Sequence, residues 1–258
     1  MRAVPNKRRR SRRRRRGSLG PVLRVLSVVL AAVAIVAALT LFFKVDQVLV
    51  TGNTRYTAGE IVAVTQVEQG DNLILLDKYG IAQRLYTELP YIKEVRINRK
   101  LPDMLLVEVT ETKAVASIQG GGGYWLLSGS GKILESADSA SAKEYLQLEG
   151  MTAEEAAVSA PLKLAEDSFL SRERLLELLE ALESRGMLTR ADGVDAGDRD
   201  KLVLRYDGRF RVELPYDADF GYKLDCLLAA VSQLQPNESG TILMNLQNEN
   251  EARFISGS

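Results

Sequence analysis

Nineteen consecutive residues, Val25 to Phe43, carry no charge, and they lie between Arg24 and Lys44. At 1.5 Å per residue this run covers roughly 28 Å as a helix, about the hydrocarbon thickness of a bilayer. A buried core helix keeps a polar face, but here the only polar side chains are Ser27 and Thr40. The run therefore reads as a transmembrane helix. Ten basic residues between Arg2 and Arg16 precede it with no acidic one among them. By the positive-inside rule, residues 1–24 form a basic cytoplasmic tail and residues 44–258 lie outside the cell membrane. A cleaved signal peptide would have a shorter apolar region followed by small residues. Here the alanines, Ala31 to Ala38, lie within the run, and bulky Leu39 to Val45 follow. The arginine run admits two readings, a nucleic-acid or anionic-lipid contact and a plain topology signal. No aromatics interleave it, which favours the second.

The formal net charge of zero conceals a division of charge. Eleven of the 34 basic residues lie in residues 1–43, and all 34 acidic ones lie beyond, leaving the exported part at −11. Such a body repels phosphate, so no nucleic acid is expected as a partner. The chain has no histidine, which removes the commonest general base and metal ligand. Cys226 is the single cysteine, so no intrachain disulfide or multi-thiolate metal site can form, and its Leu-rich surroundings read as core.

Past the anchor, Val45 to Thr51 reads as a strand ending at Gly52-Asn53. Thr57-Ala58-Gly59-Glu60 is a capping box opening a helix over 58–65. Ile81, Leu85 and Leu89 recur every fourth residue, which predicts a second helix from Lys78 that stops at Pro90. Ile92 to Arg99 and Met104 to Glu111 alternate as strands around a turn at Lys100 to Asp103. The result is β-α-α-β-β over 44–112. Beyond it, Gly120 to Gly123 reads as a loop. Tyr124 to Leu127 and Lys132 to Glu135 read as a hairpin, and 136–160 as loop with at most a helical turn. Ser171 caps a helix running to Arg185 with Gly186 as its stop. Leu202 to Tyr206 and Phe210 to Leu214 flank Asp207-Gly208, a strong hairpin signal. A helix over 222–233, a strand over Thr241 to Leu246 and a short segment over 252–255 that can pair with it complete the second domain, 113–258. The fold class is α+β: a transmembrane helix over 25–43, a compact β-α-α-β-β domain, then a β-rich domain with flanking helices and a C-terminal strand.

The pattern Val50-x-Gly52-Asn53-x-x-Tyr56-Thr57-x-x-Glu60-Ile61, then Gly70-x-Asn72-Leu73, then Pro90-x-Ile92-x-x-Val95-x-Ile97-x-Arg99-x-x-Pro102-x-x-Leu105-x-Val107-x-Val109-x-Glu111 resembles a POTRA domain. With the anchor before it and a β domain behind it, the chain resembles the FtsQ/DivIB family of bacterial division proteins. Tyr124-Trp125-Leu126-Leu127 before Gly131-x-Ile133-Leu134 and Gly240-Thr241-Ile242-Leu243-Met244 extend the likeness. Ser128 and Ser130 stand where the family usually has an acidic turn residue, Leu243 stands at another acidic position, and a proline often found after Glu111 is absent. The resemblance implies a scaffold at the septum that supports septal peptidoglycan synthesis beside FtsB/DivIC-like and FtsL-like membrane proteins. It places a partner at the C-terminal end of the second domain. An unpaired sheet edge there offers N–H and C=O groups to an extended segment. Thr241, Leu243, Asn245 and Gln247, on the side opposite Ile242, Met244 and Leu246, and the aromatic Phe254 are the candidate partner-binding residues.

No enzyme motif completes itself. Gly131-Lys132 lacks the Walker glycine at 126 and the Ser or Thr at 133, and Ser130 lacks the hydrolase elbow's glycine at 128. Glu173, Glu177 and Glu180 read as a solvated helix face. Asn53, Tyr56 and Arg99 form either a binding surface or a turn former, a staple and an edge-strand charge. No catalytic residue, metal or cofactor is expected, and the chain reads as a non-enzyme. Two other classes stand beside the division scaffold. One is a POTRA-type protein-translocation or other envelope-assembly factor, which normally repeats the unit or precedes a barrel. The other is a tethered cell-wall hydrolase.

Overall fold

The computed structural model describes residues 19–244 and 252–257. It opens with α1 (Leu19–Phe42), which begins before Arg24 rather than after it. Its window Gly20–Leu39 has a mean hydropathy of 2.7 and no buried residue. It is the one helix among the described residues long and apolar enough to cross a membrane. Leu26, Leu30 and Val33 are all exposed on it, so these side chains are not packed against the described domains.

The first module follows as β1 (Gln47–Thr51), α2 (Ala58–Thr65), α3 (Lys78–Glu88), β2 (Ile92–Lys100) and β3 (Met104–Glu111). The capping box forms as the sequence predicts. Thr57 Oγ1 accepts from Glu60 N at 3.2 Å, and the Glu60 carboxylate accepts from Thr57 N at 2.8 Å. Those two bonds satisfy donors that a helix start leaves unpaired. The sheet order is β1-β3-β2. β1 runs parallel to β3 from Gln47↔Met104 to Thr51↔Glu108, and β2 runs antiparallel to β3. Ile61, Ile81 and Leu85 from the helices close on Ile92, Leu105 and Val107 from the sheet, all buried. Gly52 (φ +84°) is required by close approach, since a Cβ there would lie 2.1 Å from the Val109 carbonyl oxygen.

This module has two ends. The starts of β1 and β3, the end of β2 and the entry to α3 lie together at the end that meets α1. Leu73 N donates to Phe43 O at 2.8 Å, Val45 N to Asp71 O at 2.8 Å and Asp46 N to Asp103 O at 2.8 Å. Arg99 Nη2 donates to Leu76 O at 2.7 Å. Asn72 Nδ2 reaches back to Leu39 O, in the last turns of α1, at 3.2 Å. β3 ends at the opposite end and leads into the second module.

That module contains β4 (Ala114–Gly120), β5 (Gly123–Ser128), β6 (Ile133–Ala137), α4 (Ser139–Ala142), β7 (Leu146–Thr152), α5 (Arg172–Ser184), β8 (Ala191–Asp195), β9 (Leu202–Tyr206), β10 (Phe210–Leu214), α6 (Phe220–Gln233), β11 (Gly240–Leu243) and β12 (Arg253–Ser256). Nine strands form one sheet in the order β12-β11-β10-β9-β8-β7-β4-β5-β6. Three elements differ from the sequence expectation. The glycines from Gly120 to Gly123 make the tight turn of a β4–β5 hairpin rather than a free loop. The stretch read as loop holds, besides the expected helical turn (α4), the interior strand β7, which pairs in parallel with both β4 and β8. β8 itself comes from a segment with no strand pattern. Gly150, in β7, has φ +69°, and a Cβ there would lie 2.0 Å from Gly197 N, so this crossing needs glycine.

One face of the sheet is apolar. Leu175, Leu178 and Leu182 of α5 and Leu224 and Leu227 of α6 pack in one core with Leu204, Val212 and Ile242. The other face carries ion pairs. Arg205 holds Glu149 through two bonds at 2.6 and 2.8 Å, and Lys201 Nζ donates to Glu213 at 2.9 Å. Cys226 is half-buried and packs against the apolar core.

Candidate functional site

The C-terminal edge of the large sheet is built outward from the β9–β10 hairpin. Asp207 and Gly208 both have φ +62°, the left-handed pair that a two-residue hairpin turn needs. The Asp207 carboxylate accepts from Arg190 at 3.0 and 2.9 Å and from Arg209 at 3.2 and 2.7 Å. Hydrogen bonds from these two guanidiniums, Arg190 first, hold its acid well below the usual range, at about 2. Arg209 Nη1 donates onward to the carbonyls of Gln235 (3.2 Å), Pro236 (2.8 Å) and Glu238 (3.3 Å). One arginine thus ties the hairpin turn to the loop that delivers β11.

β11 lies parallel to β10, from Phe210↔Gly240 to Glu213↔Leu243, and antiparallel to β12. Both sides of β11 are therefore occupied. The expectation that the strand beginning at Thr241 offers a free edge is corrected: the terminal strand is β12, and among the described residues none pairs with its outer side. Gly240 N donates to Arg209 O at 3.1 Å and Met244 N to Glu213 O at 2.9 Å. Even-numbered residues of β11 thus turn their backbone toward β10, and Thr241 and Leu243 turn theirs toward Ile255 and Arg253. It follows that Phe254 and Ser256 turn their N–H and C=O groups outward.

The side chains follow the same alternation. Phe254 stands opposite Ile242, on the core face, with its ring 6.3 Å from that of Phe210 and 75° to it. Phe254 is therefore a packing residue of the edge strand and not an open anchor. Thr241 and Leu243 lie on the other face, opposite Arg211 and Glu213 and half-buried. Ile255, at 49% exposure, is the apolar side chain that this face presents. Sequence reasoning did not single it out, although its alternation with Phe254 was visible. Asn245 and Gln247 lie outside the described residues.

A second constellation joins the two modules and left no sequence signal, because its members are far apart in the chain. The buried Tyr91 donates its hydroxyl to Glu135 Oε1 at 2.6 Å. The Arg55 guanidinium lies 3.7 Å from the Tyr91 ring centroid, and its Nη2 lies 3.7 Å from Glu135 Oε2. Burial first, then the bond to Glu135, raises the tyrosine's pKa. Lys132 Nζ donates to the carbonyls of Tyr86 at 3.0 Å and Ile92 at 3.3 Å, and burial lowers its pKa. Asn53, Tyr56 and Arg99 all make bonds within the first module. Asn53 Nδ2 donates to Tyr56 O at 2.9 Å, and Tyr56 Oη accepts from Tyr91 N at 3.2 Å. Glu111, at the end of β3, accepts from Arg55 N at 2.7 Å and Tyr56 N at 3.2 Å. Burial opposes ionisation of Glu111, yet these N–H donors leave its pKa below the usual carboxylate range.

A family model described as a POTRA domain of the FtsQ type matches residues 43–112. Another, described as the C-terminal part of cell division protein FtsQ/DivIB, matches residues 116–247. Among curated proteins, the chain is 32% identical over 111 residues to cell division protein FtsQ of Corynebacterium glutamicum, which is 43% of this chain and 50% of that one. It is 28% identical over 111 residues to cell division protein DivIB of Clostridium acetobutylicum, 43% of this chain and 44% of that one. It is 26% identical over 144 residues to cell division protein FtsQ of Syntrophotalea carbinolica, 56% of this chain and 49% of that one. The chain spans about half the length of the curated relatives it matches. The C-terminal model alone covers half of the sequence, and it falls on the very sheet whose terminal strand is β12, so the chain belongs to the FtsQ/DivIB family of cell-division proteins.

Proposed function

We propose that this protein is a bitopic membrane scaffold of the division septum that acts by binding rather than catalysis. In this reading the basic tail is cytoplasmic, α1 is a retained anchor, and residues 44–112 and 113–258 are two extracytoplasmic domains. An FtsB/DivIC-like or FtsL-like partner adds an extended segment to the outer side of β12, and the complex supports septal peptidoglycan synthesis. The observation that carries the reading is the terminal place of β12 in a nine-stranded sheet, with the backbone of Phe254 and Ser256 turned outward. A peptide strand adding there gains main-chain hydrogen bonds for affinity, and alternate side chains supply selectivity. Thr241, Leu243, Arg253 and Ile255 form the face beside it, and Asn245 and Gln247 belong to the same proposed surface.

The absence of histidine from the whole chain supports a binding role. A translocation or envelope-assembly factor is the alternative. The test is a fluorescent fusion expressed in dividing cells, together with a pull-down of the DivIC-like partner by the full chain. A midcell band and capture of the partner are expected. Uniform envelope fluorescence with no capture would overturn the scaffold reading in favour of the alternative.

A further inference from the structure

Exposed apolar side chains are not spread evenly over the first module. Five large ones are exposed between residues 44 and 112: Leu49, Ile74, Leu75, Tyr79 and Leu101. Four of them, all but Leu49, lie at the end that meets α1. Leu75 is 75% exposed, Tyr79 74% and Leu101 61%. A soluble domain seldom gathers such residues at one end without a use for them.

Hydrogen bonds fix where this rim lies. The loop carrying Ile74 and Leu75 begins at Asn72, whose amide donates to Leu39 O at 3.2 Å, where the apolar window of α1 ends. Asn72 Oδ1 in turn accepts from Ile74 N at 2.9 Å and Leu75 N at 3.1 Å, so one side chain holds both α1 and the turn that presents the leucine. Leu101 tops the β2–β3 turn, and that turn is bound at Asp103 to the residues just past α1. Tyr79 stands in the first turn of α3, whose lead-in residue Leu76 is held by Arg99 at the end of β2. Within a few residues of these contacts no chain is long enough to carry the rim far from the end of α1.

We infer that Ile74, Leu75, Tyr79 and Leu101 form an apolar seat by which the first domain rests in the outer-leaflet interface of the membrane that α1 crosses. This rests on the reading of α1 as a retained anchor. Tyrosine suits the level of the headgroups, having an apolar ring and a polar tip, and leucines enter the acyl boundary. Electrostatic attraction plays little part, because Asp46, Asp71 and Asp103 share the rim with Lys44 and Lys100. The seat fixes the tilt of the domain relative to the bilayer, so that β3 carries the second domain away from the membrane instead of along it.

The test uses the full chain with Cys226→Ala, reconstituted in phosphatidylcholine vesicles. Single-cysteine variants Leu75→Cys, Leu101→Cys and Tyr79→Cys carry an environment-sensitive fluorophore. Glu94→Cys, near the far end of β2, is the aqueous control, and Leu30→Cys reports insertion of α1. Lipids bearing a nitroxide just below the headgroup should quench the labels at 75, 79 and 101 by at least about half, as expected of side chains lying in the interface, and leave the label at 94 bright. Adding anionic lipid should not change this. Introducing Leu75→Asp with Leu101→Asp should release the label at 79. Quenching at 30 with none at 75, 79 and 101 would overturn the seat and assign the rim to a protein. Quenching at the rim only with anionic lipid would overturn its apolar character. No quenching at 30 would overturn the anchor reading and the seat with it.

Discussion

The Tyr91 hydroxyl donates to the Glu135 carboxylate at 2.6 Å across the boundary between the two modules, 44 residues apart in sequence. The phenol is buried and the carboxylate half-exposed, so losing Glu135 orphans the hydroxyl, whereas losing the hydroxyl removes one hydrogen bond and leaves the carboxylate to water and Arg55. Tyr91→Phe should destabilise residues 44–258 by about 1–2 kcal/mol. A thermal melt of the full chain in detergent, with Glu135→Gln and the double variant alongside, measures the coupling. Additive losses would mean that the two side chains act independently.

The first module should respond to its cap and its close crossing in different measure. Thr57→Ala removes one side-chain acceptor and should cost about 1 kcal/mol. Gly52→Ala meets both a positive φ and the Val109 carbonyl, and should cost about 2–3 kcal/mol. Urea midpoints of residues 44–112 as a fragment would rank the two. They would also test whether this stretch unfolds cooperatively alone, as the proposed boundary at Thr112 requires.

The Asp207 turn gives a pH dependence whose sign is fixed. Its carboxyl is depressed from 3.8 to about 2 in the fold. Its contribution is therefore complete above the unfolded value and is lost as pH falls through the folded one. Asp207→Asn keeps a residue that tolerates positive φ but removes the charge shared by Arg190 and Arg209. The variant should be less stable at neutral pH, and the gap should close as pH falls from 3.8 toward about 2. Denaturant titrations at a series of pH values would reveal this, and a gap unchanged by acid would disprove it.

Ser256→Pro removes an N–H that points outward while sparing the rungs between β12 and β11. It should abolish capture of an extended partner with little loss of folded structure by circular dichroism. Phe254→Ala should behave differently, losing about 1–3 kcal/mol of stability because the ring packs on Phe210. Undiminished capture by Ser256→Pro would move the partner to another surface.

These variants also separate what was readable in the sequence from what was not. Elements announced by a neighbour in the chain were legible: the Thr57/Glu60 box, the strands around Asp207-Gly208 and the Ser171 cap of α5. The three unread strands have no such signal. β4 is rich in small residues, β8 begins Ala191-Asp192-Gly193, and β7 is interrupted by Gly150, and strands disfavour glycine and aspartate. β7 is held by parallel neighbours on both sides, and parallel pairing needs long connections with no turn motif to betray it. At the candidate edge, the final strand was legible as a strand, but which strand stood outermost depended on β12 folding back. The Tyr91–Glu135 contact depends on how two modules meet, which no local pattern encodes.

The parallel pairing of β1 with β3 has a mechanical meaning. The chain enters this sheet from α1 at Gln47 and leaves it at Glu111 toward the second module, by adjacent strands pointing the same way. If α1 is held in a bilayer while the far module is pulled, the two strands are drawn past each other lengthwise. The five register pairs from Gln47↔Met104 to Thr51↔Glu108 then bear the load together instead of opening one at a time from an end. Under such a pull, this connection resists tension in shear.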